Sequence, residues 1–407
     1  SPVTGVQTCA LPICFDLPER NTMKKIQELQ QVKGDAYDYY IAGNEDTDLF
    51  EKIFLVDDIV EEICKPDKYF LIGEKGSGKT AYSVYMSKSD KINSFCSISL
   101  VENTLYQRFL NMKRQKALEL SSFKDVWINL IYLILAEKIR KEYGETFFSS
   151  MKYKQLSKAI DVFYSDAFKP EFVNAFEFVD NASASINSMM KQGLFSTGTK
   201  ASAETSQKYV EQSFQISLLK IRDGFEKAFM SVNLKKPTIL FVDGIDARPR
   251  DIDNEQYFEC LVGLVNAVLE MNQSFLKEKQ IKIMLLIRPD IMYKMPVHNM
   301  NQKLRNNSVL LNWVTSYRKY IDSKLFKIAD DYFMKQQDYS YELGECWNYY
   351  FPYKVEYQEK WKAPDNPFVE FLRYSLYKPR DILTMLNEMV DATSGTQFKH
   401  SDFEEIG

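Results

Sequence analysis

Residues 69–81 read Tyr69-Phe70-Leu71-Ile72-Gly73-Glu74-Lys75-Gly76-Ser77-Gly78-Lys79-Thr80-Ala81 in this chain of 407 residues. Apolar residues are followed by the pattern Gly-x-x-x-x-Gly-Lys-Thr, which is typical of a phosphate-binding loop between a strand and a helix. The glycines let successive backbone N–H groups turn toward phosphate oxygens, and the start of the following helix adds the positive end of its dipole. The stretch therefore predicts a nucleoside triphosphate site in an α/β fold.

The loop residues have individual predicted roles. We expect Lys79 to reach the β- and γ-phosphates and Thr80 to bind Mg²⁺. ATP is the expected nucleotide, because the sequence lacks the Asn-Lys-x-Asp string that recognises guanine. A chance match in a glycine-containing turn is the alternative, and the strand and helix patterns on either side argue against it. The predicted nucleotide-binding residues are Gly73, Glu74, Lys75, Gly76, Ser77, Gly78, Lys79, Thr80 and Ala81.

Further apolar runs predict the remaining strands. Residues 92–100, 238–243 and 281–288 each form a short run, and residues 308–311 form a weaker one. Such runs, bounded by polar residues, are typical of parallel strands that helices cover on both faces. Because helical patterns alternate with them, the sequence predicts a doubly wound α/β domain whose site lies at the C-terminal ends of the strands.

Helical periodicity describes much of the rest of the chain. The spacing of apolar residues in 45–64 predicts one helix that leads into the first strand. Residues 101–236 are predicted to be a mainly helical insertion, in which 181–207, rich in Ser, Thr, Gly and Ala, form a loop. A further periodic helix is expected to open at Pro379, because proline is favoured in the first helical turn.

These patterns divide the chain into three predicted parts. Residues 23–322 form the ATPase domain, and residues 323–407 form a C-terminal helical domain that acts as a lid. Residues 1–22 are predicted to be a non-native or disordered tail, since their start resembles translated sequencing-adaptor sequence. At the other end, Ser401 and Glu404 fit a capping box, which predicts a helix that opens at Ser401 and a chain truncated after it.

Composition limits the chemistry. The net charge of −4 argues against a protein that binds nucleic acid through its overall charge. The longest apolar stretch, residues 127–136, is too short to cross a bilayer and is predicted to be a core helix. Six cysteines, a pair near the N-terminus and four isolated ones, and only two histidines indicate reduced thiols in a cytoplasmic protein without a histidine-based site. Catalysis must then depend on carboxylates, lysine and arginine.

Charged residues at strand and helix ends are candidates for the second half of the site. Asp243 ends the run 238–243, where the Mg²⁺ site of phosphate-loop enzymes needs an acid, and a turn-capping role is its alternative. Asp246 is the candidate for positioning the attacking water, or else a turn residue. Arg288 either faces the γ-phosphate or caps a strand end. Arg305 is a candidate finger for a neighbouring subunit. Arg380 projects from a helix start, where it either senses the γ-phosphate or is solvated.

Taken together, these motifs resemble a bacterial family of P-loop ATPases in the additional-strand division, related to the AAA-like, KAP and STAND groups. The resemblance spans residues 46–392 and depends on the order of the motifs more than on any one of them. The motifs are Gly73–Thr80, Phe241-Val242-Asp243-Gly244-Ile245-Asp246, Leu286-Ile287-Arg288-Pro289-Asp290, Ser308-Val309-Leu310-Leu311-Asn312-Trp313 and Lys378-Pro379-Arg380-Asp381.

The resemblance implies a five-stranded sheet in the order 5-1-4-3-2, with Arg288 near a sensor position and Arg380 as a second sensor. The chain departs from the pattern in two respects. It carries no membrane-spanning insertion of the KAP kind, and Gly244 stands where many related ATPases have a catalytic glutamate. The second departure predicts slow hydrolysis.

The leading functional prediction is an ATP-binding, slowly hydrolysing switch, either as a homo-oligomer or with a partner protein. A role in bacterial defence or stress signalling is implied by the resemblance alone. One alternative is a nucleotide-dependent scaffold that does not hydrolyse ATP. Another is a DNA-associated ATPase, for which the basic clusters 113–116 and 138–141 are the candidate contacts, although a solvated helix face explains such clusters more simply.

Overall fold

A computed structural model describes residues 23–41, 48–101, 123–149, 153–166, 218–246, 254–295, 300–355 and 366–406. The chain divides into two compact units, which are described separately below. One unit is Lys33–Val314, and the other combines Ser1–Val32 with Thr315–Gly407. The sequence places the corresponding boundary at residue 323 and assigns residues 23–32 to the larger unit.

The larger unit contains one sheet of five parallel strands in the order β2-β3-β4-β1-β5. This confirms the predicted α/β class, the five predicted strands and the predicted order 5-1-4-3-2, counted here from the opposite edge. β1, β3 and β4 are buried along their whole length, as expected of strands covered on both faces, whereas β5 at the edge is partly exposed. The strands are β1 Phe70–Ile72, β2 Phe95–Leu100, β3 Thr238–Asp243, β4 Ile281–Ile287 and β5 Ser308–Leu310.

Helices cover both faces of the sheet and give two apolar cores. Trp127 and Leu264 lie in the core on one face, and Tyr82 and Val309 lie in the core on the other. Trp127 is buried within the long helix of residues 123–149, so the predicted core helix is present. The described helices of this unit are α1 Tyr37–Ile41, α2 Asp48–Ile53, α3 Asp58–Cys64, α4 Lys79–Lys88, α5 Phe123–Ser149, α6 Lys154–Asp166, α7 at 218–231, α8 Asn254–Gln273, α9 Pro289–Lys294 and α10 Met300–Asn307.

The prediction of one helix over residues 45–64 is wrong. The structure has two helices there, α2 and α3, and Asp57 separates them in an extended conformation, with φ −130° and ψ −176°. The Asp57 carboxylate accepts a hydrogen bond of 3.1 Å from the N–H of Ile59 and so caps α3. A short acidic side chain that caps its own backbone competes with continuous helix, which explains the break.

The smaller unit is helical in its described part and has an aromatic core. The indole of Trp347 is fully buried and stacks on Phe351 at 4.2 Å between ring centroids, with Phe368 and Phe371 each at 5.3 Å. Its helices are two short 3-10 helices, Ile26–Glu28 and Tyr317–Asp322, and α11 Lys324–Met334, α12 Glu345–Tyr350, α13 Phe368–Tyr374, α14 Pro379–Ala392 and α15 His400–Ile406.

The predicted cap of the last helix is wrong, although the helix itself is present. α15 begins at His400, so Ser401 lies inside the helix. The Asp402 carboxylate accepts a hydrogen bond of 2.8 Å from the N–H of Lys399, and this contact takes the place of the predicted one between Ser401 and Glu404. Aspartate at this position satisfies a free N–H at the helix start, as glutamate does in the usual capping box.

Three predictions fall outside the described residues: the tail 1–22, the loop 181–207 and the basic cluster 113–116. In the part of the chain that the structure describes, no helix is both long enough and apolar enough to span a membrane.

Candidate functional site

The site begins at the carboxyl end of β1, between its two neighbouring strands. The N–H of Gly73 donates to the carbonyl of Ile287 at the end of β4, and the N–H of Leu311 donates to the carbonyl of Ile72. The loop then turns through Gly76 and Gly78, whose φ angles of +82° and +91° favour glycine. Helix α4 starts directly afterwards, so the chain forms the strand, loop and helix that the sequence predicts.

Gly73 is required because the loop closes tightly on itself. A Cβ atom at this position would lie 2.3 Å from Ser77 Oγ and 3.1 Å from Leu311 Cβ. The first distance is shorter than Cβ atoms show in proteins and the second is tighter than most Cβ contacts, so a larger residue would require Ser77 and Leu311 to move.

The Lys79 side chain lies within the loop. Its Nζ donates to the carbonyl oxygens of Gly73 at 2.8 Å and Glu74 at 3.2 Å. The same ammonium lies 3.7 Å from Asp246 Oδ2. Burial lowers the pKa of Lys79, and the carboxylates of Asp246 and Asp243 oppose this shift. A buried ammonium at the base of a glycine loop is suited to binding an anion.

Thr80 and Asp243 meet across the site although 163 residues separate them in the sequence. Thr80 Oγ1 donates to Asp243 Oδ2 at 2.6 Å, and the N–H of Gly244 donates to Asp243 Oδ1 at 2.7 Å. Burial raises the pKa of Asp243, whereas these two hydrogen bonds and the Lys79 charge lower it. The residues predicted as the metal ligands therefore contact each other directly.

Asp246 is the second acid of the site. Burial raises its pKa to about 6, against the opposing effect of the Lys79 charge. Its Oδ1 atom is buried and has no hydrogen-bond partner among the described residues. The turn that carries it is held by Tyr257, whose hydroxyl donates to the carbonyl of Ile245 at 2.6 Å. A carboxyl with a pKa near neutrality can exchange a proton with a reacting group.

Gly244 lies between the two acids in a conformation that excludes other residues. Its φ is +85°, and a Cβ atom here would lie 2.9 Å from the carbonyl oxygen of Val101. The close approach of Val101, the residue directly after β2, and the positive φ of Gly244 both disfavour a glutamate at this position.

Arg288 lies beside the site but is already paired. It precedes α9 and forms two hydrogen bonds to the carboxylate of Asp290, at 2.9 and 2.8 Å. Its charge is close enough to lower the pKa values of Lys79 and Asp246. The positive charge of Arg288 therefore acts on the site, while its Nε and Nη2 donate to Asp290.

The other predicted residues take separate positions. The side chains of Glu74 and Lys75 are exposed at the loop tip, whereas Ala81 is half-buried in the first turn of α4. Arg305 is exposed in the last turn of α10. Arg380 belongs to the smaller unit, where it lies in the first turn of α14 with Nε 3.6 Å from Asp381 Oδ1.

Sequence reasoning missed two contributors. Trp313 Nε1 donates to the carbonyl oxygen of Ser77 at 2.9 Å and so contacts the loop backbone. Asp35, two residues before α1, is near enough to raise the pKa of Asp243. Trp313 belongs to a motif that carried the family resemblance, and an aromatic residue with an N–H donor three positions after the end of β5 was the signal available. Asp35 lies outside every motif.

The donor set matches what a hydrated Mg²⁺ ion takes from a protein. Mg²⁺ is usually held by one or two carboxylates together with substrate phosphates and water, with no cage of protein ligands. Thr80 and Asp243 supply a hydroxyl and a carboxylate, and the described residues contain no cluster of three or more His, Cys, Asp or Glu that could hold a metal. A hydroxyl and a carboxylate in direct contact are donors that fit a Mg²⁺ ion whose other ligands are phosphate oxygens and water.

Comparison of the chain with protein-family models, with curated proteins and with solved structures gives no match in any of the three.

Proposed function

We propose that this chain binds ATP with Mg²⁺ and hydrolyses it slowly, as a switch between two conformational states. The observation that carries the proposal is the convergence of Lys79, Thr80, Asp243 and Asp246 at the C-terminal ends of parallel strands. Ligands of open α/β sheets bind at this edge, and a glycine loop that leads into a helix there favours phosphate.

Each residue has a role in this proposal. Lys79 binds the β- and γ-phosphates after leaving the loop carbonyls that it contacts here. Thr80 and Asp243 hold Mg²⁺, which when bound neutralises phosphate charge. Asp246 orients the attacking water and accepts its proton through Oδ1, the carboxylate oxygen without a hydrogen-bond partner in the described part of the chain. Arg288 adds positive charge near the transferred phosphate.

Slow turnover is supported by the geometry of Gly244. The backbone there excludes a glutamate, so the proton must go to Asp246, whose carboxylate also neighbours Lys79. A carboxylate that is paired with a lysine is a weaker base than an unpaired catalytic glutamate, because the positive charge favours its deprotonated form. The same observation favours the alternative of a scaffold that binds ATP without hydrolysing it.

The test measures MgATP affinity and phosphate release for the wild type, Lys79→Ala and Lys91→Ala. Lys91 is exposed just after α4, so its substitution removes an equal charge without touching the loop. Removing the Lys79 contact should raise Kd about tenfold to a hundredfold, as expected for loss of a charged hydrogen bond. The control should bind like the wild type.

Three results are informative. If the wild type does not bind MgATP, or if both lysine variants bind equally well, the proposal fails. Binding without phosphate release above the Lys79→Ala level would establish the scaffold instead.

The DNA-associated alternative requires that duplex DNA stimulates turnover and binds with a steep salt dependence. Within its described cluster, Arg140 already pairs with Glu137 at 2.6 Å, which lowers the charge available to DNA.

A further inference from the structure

Trp313 follows the edge strand β5 and lies against the phosphate-loop side of the sheet. Its ring is half-buried and packs on the apolar core that also contains Tyr82 of α4. Its indole N–H donates to the carbonyl oxygen of Ser77 at 2.9 Å, across 236 positions of sequence. Packing fixes the ring, so the direction of this hydrogen bond is fixed as well.

The contact determines how the next peptide group is oriented. The described residues contain no cis peptide bond, so the carbonyl of Ser77 and the N–H of Gly78 point to opposite sides of one planar group. Holding the carbonyl against Trp313 therefore directs the Gly78 N–H away from the indole. Gly78 has φ +91° and no Cβ to limit its rotation, so an external contact is needed to hold this plane.

We propose that Trp313 is a positioning residue for phosphate binding, because its indole fixes the Gly78 N–H in the direction from which it donates to a phosphate oxygen. The proposal rests on the proposed function and specifies how its site is organised before the nucleotide arrives. Preorganised amides bind anions more tightly, since no free energy is then spent on rotating the peptide.

The first experiment measures MgATP binding by calorimetry for the wild type, Trp313→Phe and Trp127→Phe. Phenylalanine keeps an aromatic ring and removes the N–H. Trp127 is the matched control, because its Nε1 donates to the carbonyl of Cys260 at 3.1 Å in the core between α5 and α8. Loss of the Trp313 bond should raise Kd about threefold to tenfold, the range for one hydrogen bond, and Trp127→Phe should leave Kd unchanged.

The second experiment observes the Gly78 amide itself. Ser77–Gly78 and Ser394–Gly395 are the two Ser–Gly pairs in the sequence, so labelling serine at the carbonyl carbon and glycine at nitrogen selects two amide signals. In the wild type, MgATP should shift the Gly78 signal and leave Gly395 in place. In Trp313→Phe without nucleotide, the Gly78 signal should move or broaden, because the peptide plane is no longer fixed.

The outcomes separate the two proposals. If the wild type fails to bind MgATP, the proposed function is wrong. If the wild type binds and Trp313→Phe matches it in Kd and in the Gly78 signal, the role of Trp313 is wrong. Equal weakening in both tryptophan variants would also contradict it, because the effect would then be general destabilisation. If Trp313→Phe does not fold, hydrogen exchange of the indole N–H of Trp313 in the wild type provides the test. The proposal requires this exchange to slow when MgATP binds.

Discussion

At the scale of single residues, the charged side chains of the site are largely buried. Lys79 and Asp243 are each 7% exposed, and Asp246 neighbours both. Burying charge is costly unless it is paired, and the Lys79–Asp246 contact at 3.7 Å supplies only part of that compensation. Such a group of residues is characteristic of a site that exchanges protons or binds ions.

Asp246 gives a prediction about pH. If its carboxylate accepts the proton of the attacking water, kcat/KM for MgATP should rise as pH increases through about 6, the pKa of Asp246 in the folded protein. The rise reports the free protein, so kcat/KM is the quantity to measure, by phosphate release between pH 5 and pH 8. Asp246→Asn should abolish the rise and lower kcat.

The contribution of Asp246 to stability changes with pH in the opposite direction to kcat/KM. Since the folded-state pKa of Asp246 lies above its unfolded value, the folded protein binds this proton more tightly. Its contribution to the free energy of unfolding is thus present below about pH 4 and lost as pH rises through about 6.

The control for the kinetic prediction is Asp223→Asn, which changes an exposed aspartate in α7 and should keep the pH profile of kcat/KM. An unchanged profile in Asp246→Asn would contradict the proposed proton transfer.

At the scale of secondary structure, α5 packs closely on α8, the helix whose Tyr257 hydroxyl donates to the turn that carries Asp246. The contact is made possible by Gly263 in the middle of α8. A Cβ atom at this position would lie 2.6 Å from Phe123 Cβ and 3.0 Å from the backbone nitrogen of Lys124. Glycine in a helix interior otherwise destabilises it, so its presence here reflects the approach of the two helices.

Matched glycine substitutions test this packing. Gly263→Ala should lower the free energy of unfolding by about 1–2 kcal/mol, because overpacking outweighs the gain in helix propensity. The added Cβ of Gly224→Ala in α7 meets no atom of the described residues within 4 Å, so this substitution should raise the free energy of unfolding by about 0.5–1 kcal/mol. Urea unfolding measures both values. Stabilisation by Gly263→Ala as large as that by Gly224→Ala would show that the helices separate at no cost.

At the scale of the whole molecule, the smaller unit is assembled from both ends of the described chain. Ile26 is fully buried in it, and the N–H of Ile26 donates to the carbonyl of Gly395 at 3.0 Å. Asn387 of α14 binds both backbone groups of Val32, accepting from its N–H at 3.1 Å and donating to its carbonyl at 2.6 Å. Residues 23–32 are therefore part of this unit's structure.

Asn387→Ala should detach this segment. The substitution removes the Asn387 partner of the N–H and carbonyl of Val32 and one hydrogen bond of the Tyr332 hydroxyl, which should lower stability by about 1–3 kcal/mol. Asp391 lies on the same helix as Asn387 and accepts an exposed hydrogen bond from Gln31. Asp391→Ala should therefore change the free energy of unfolding by less than about 0.5 kcal/mol. Hydrogen exchange of peptides covering 23–32 should accelerate only in Asn387→Ala. Equal exchange in the two variants would refute the anchoring role.

Sequence alone determined the features that depend on neighbouring residues. Five apolar runs of strand length predicted β1 to β5, and the glycine pattern before Lys79 predicted a loop and the start of α4. The cap at Asp57 is a local signal of the same kind, but the helical spacing of residues 45–64 was given more weight and the break was missed. These patterns suffice because strand burial, glycine φ angles and helix caps are set within a few positions of each residue.

Only the tertiary structure decided which distant residues meet. The hydrogen bond between Thr80 and Asp243 and the indole of Trp313 on Ser77 each join residues more than 150 positions apart. The exclusion of a side chain at Gly244 depends on how closely β2 approaches it. Attachment of residues 23–32 to the smaller unit depends in the same way on Asn387, far along the chain. No local period encodes such contacts, because they arise from the packing of whole strands and helices.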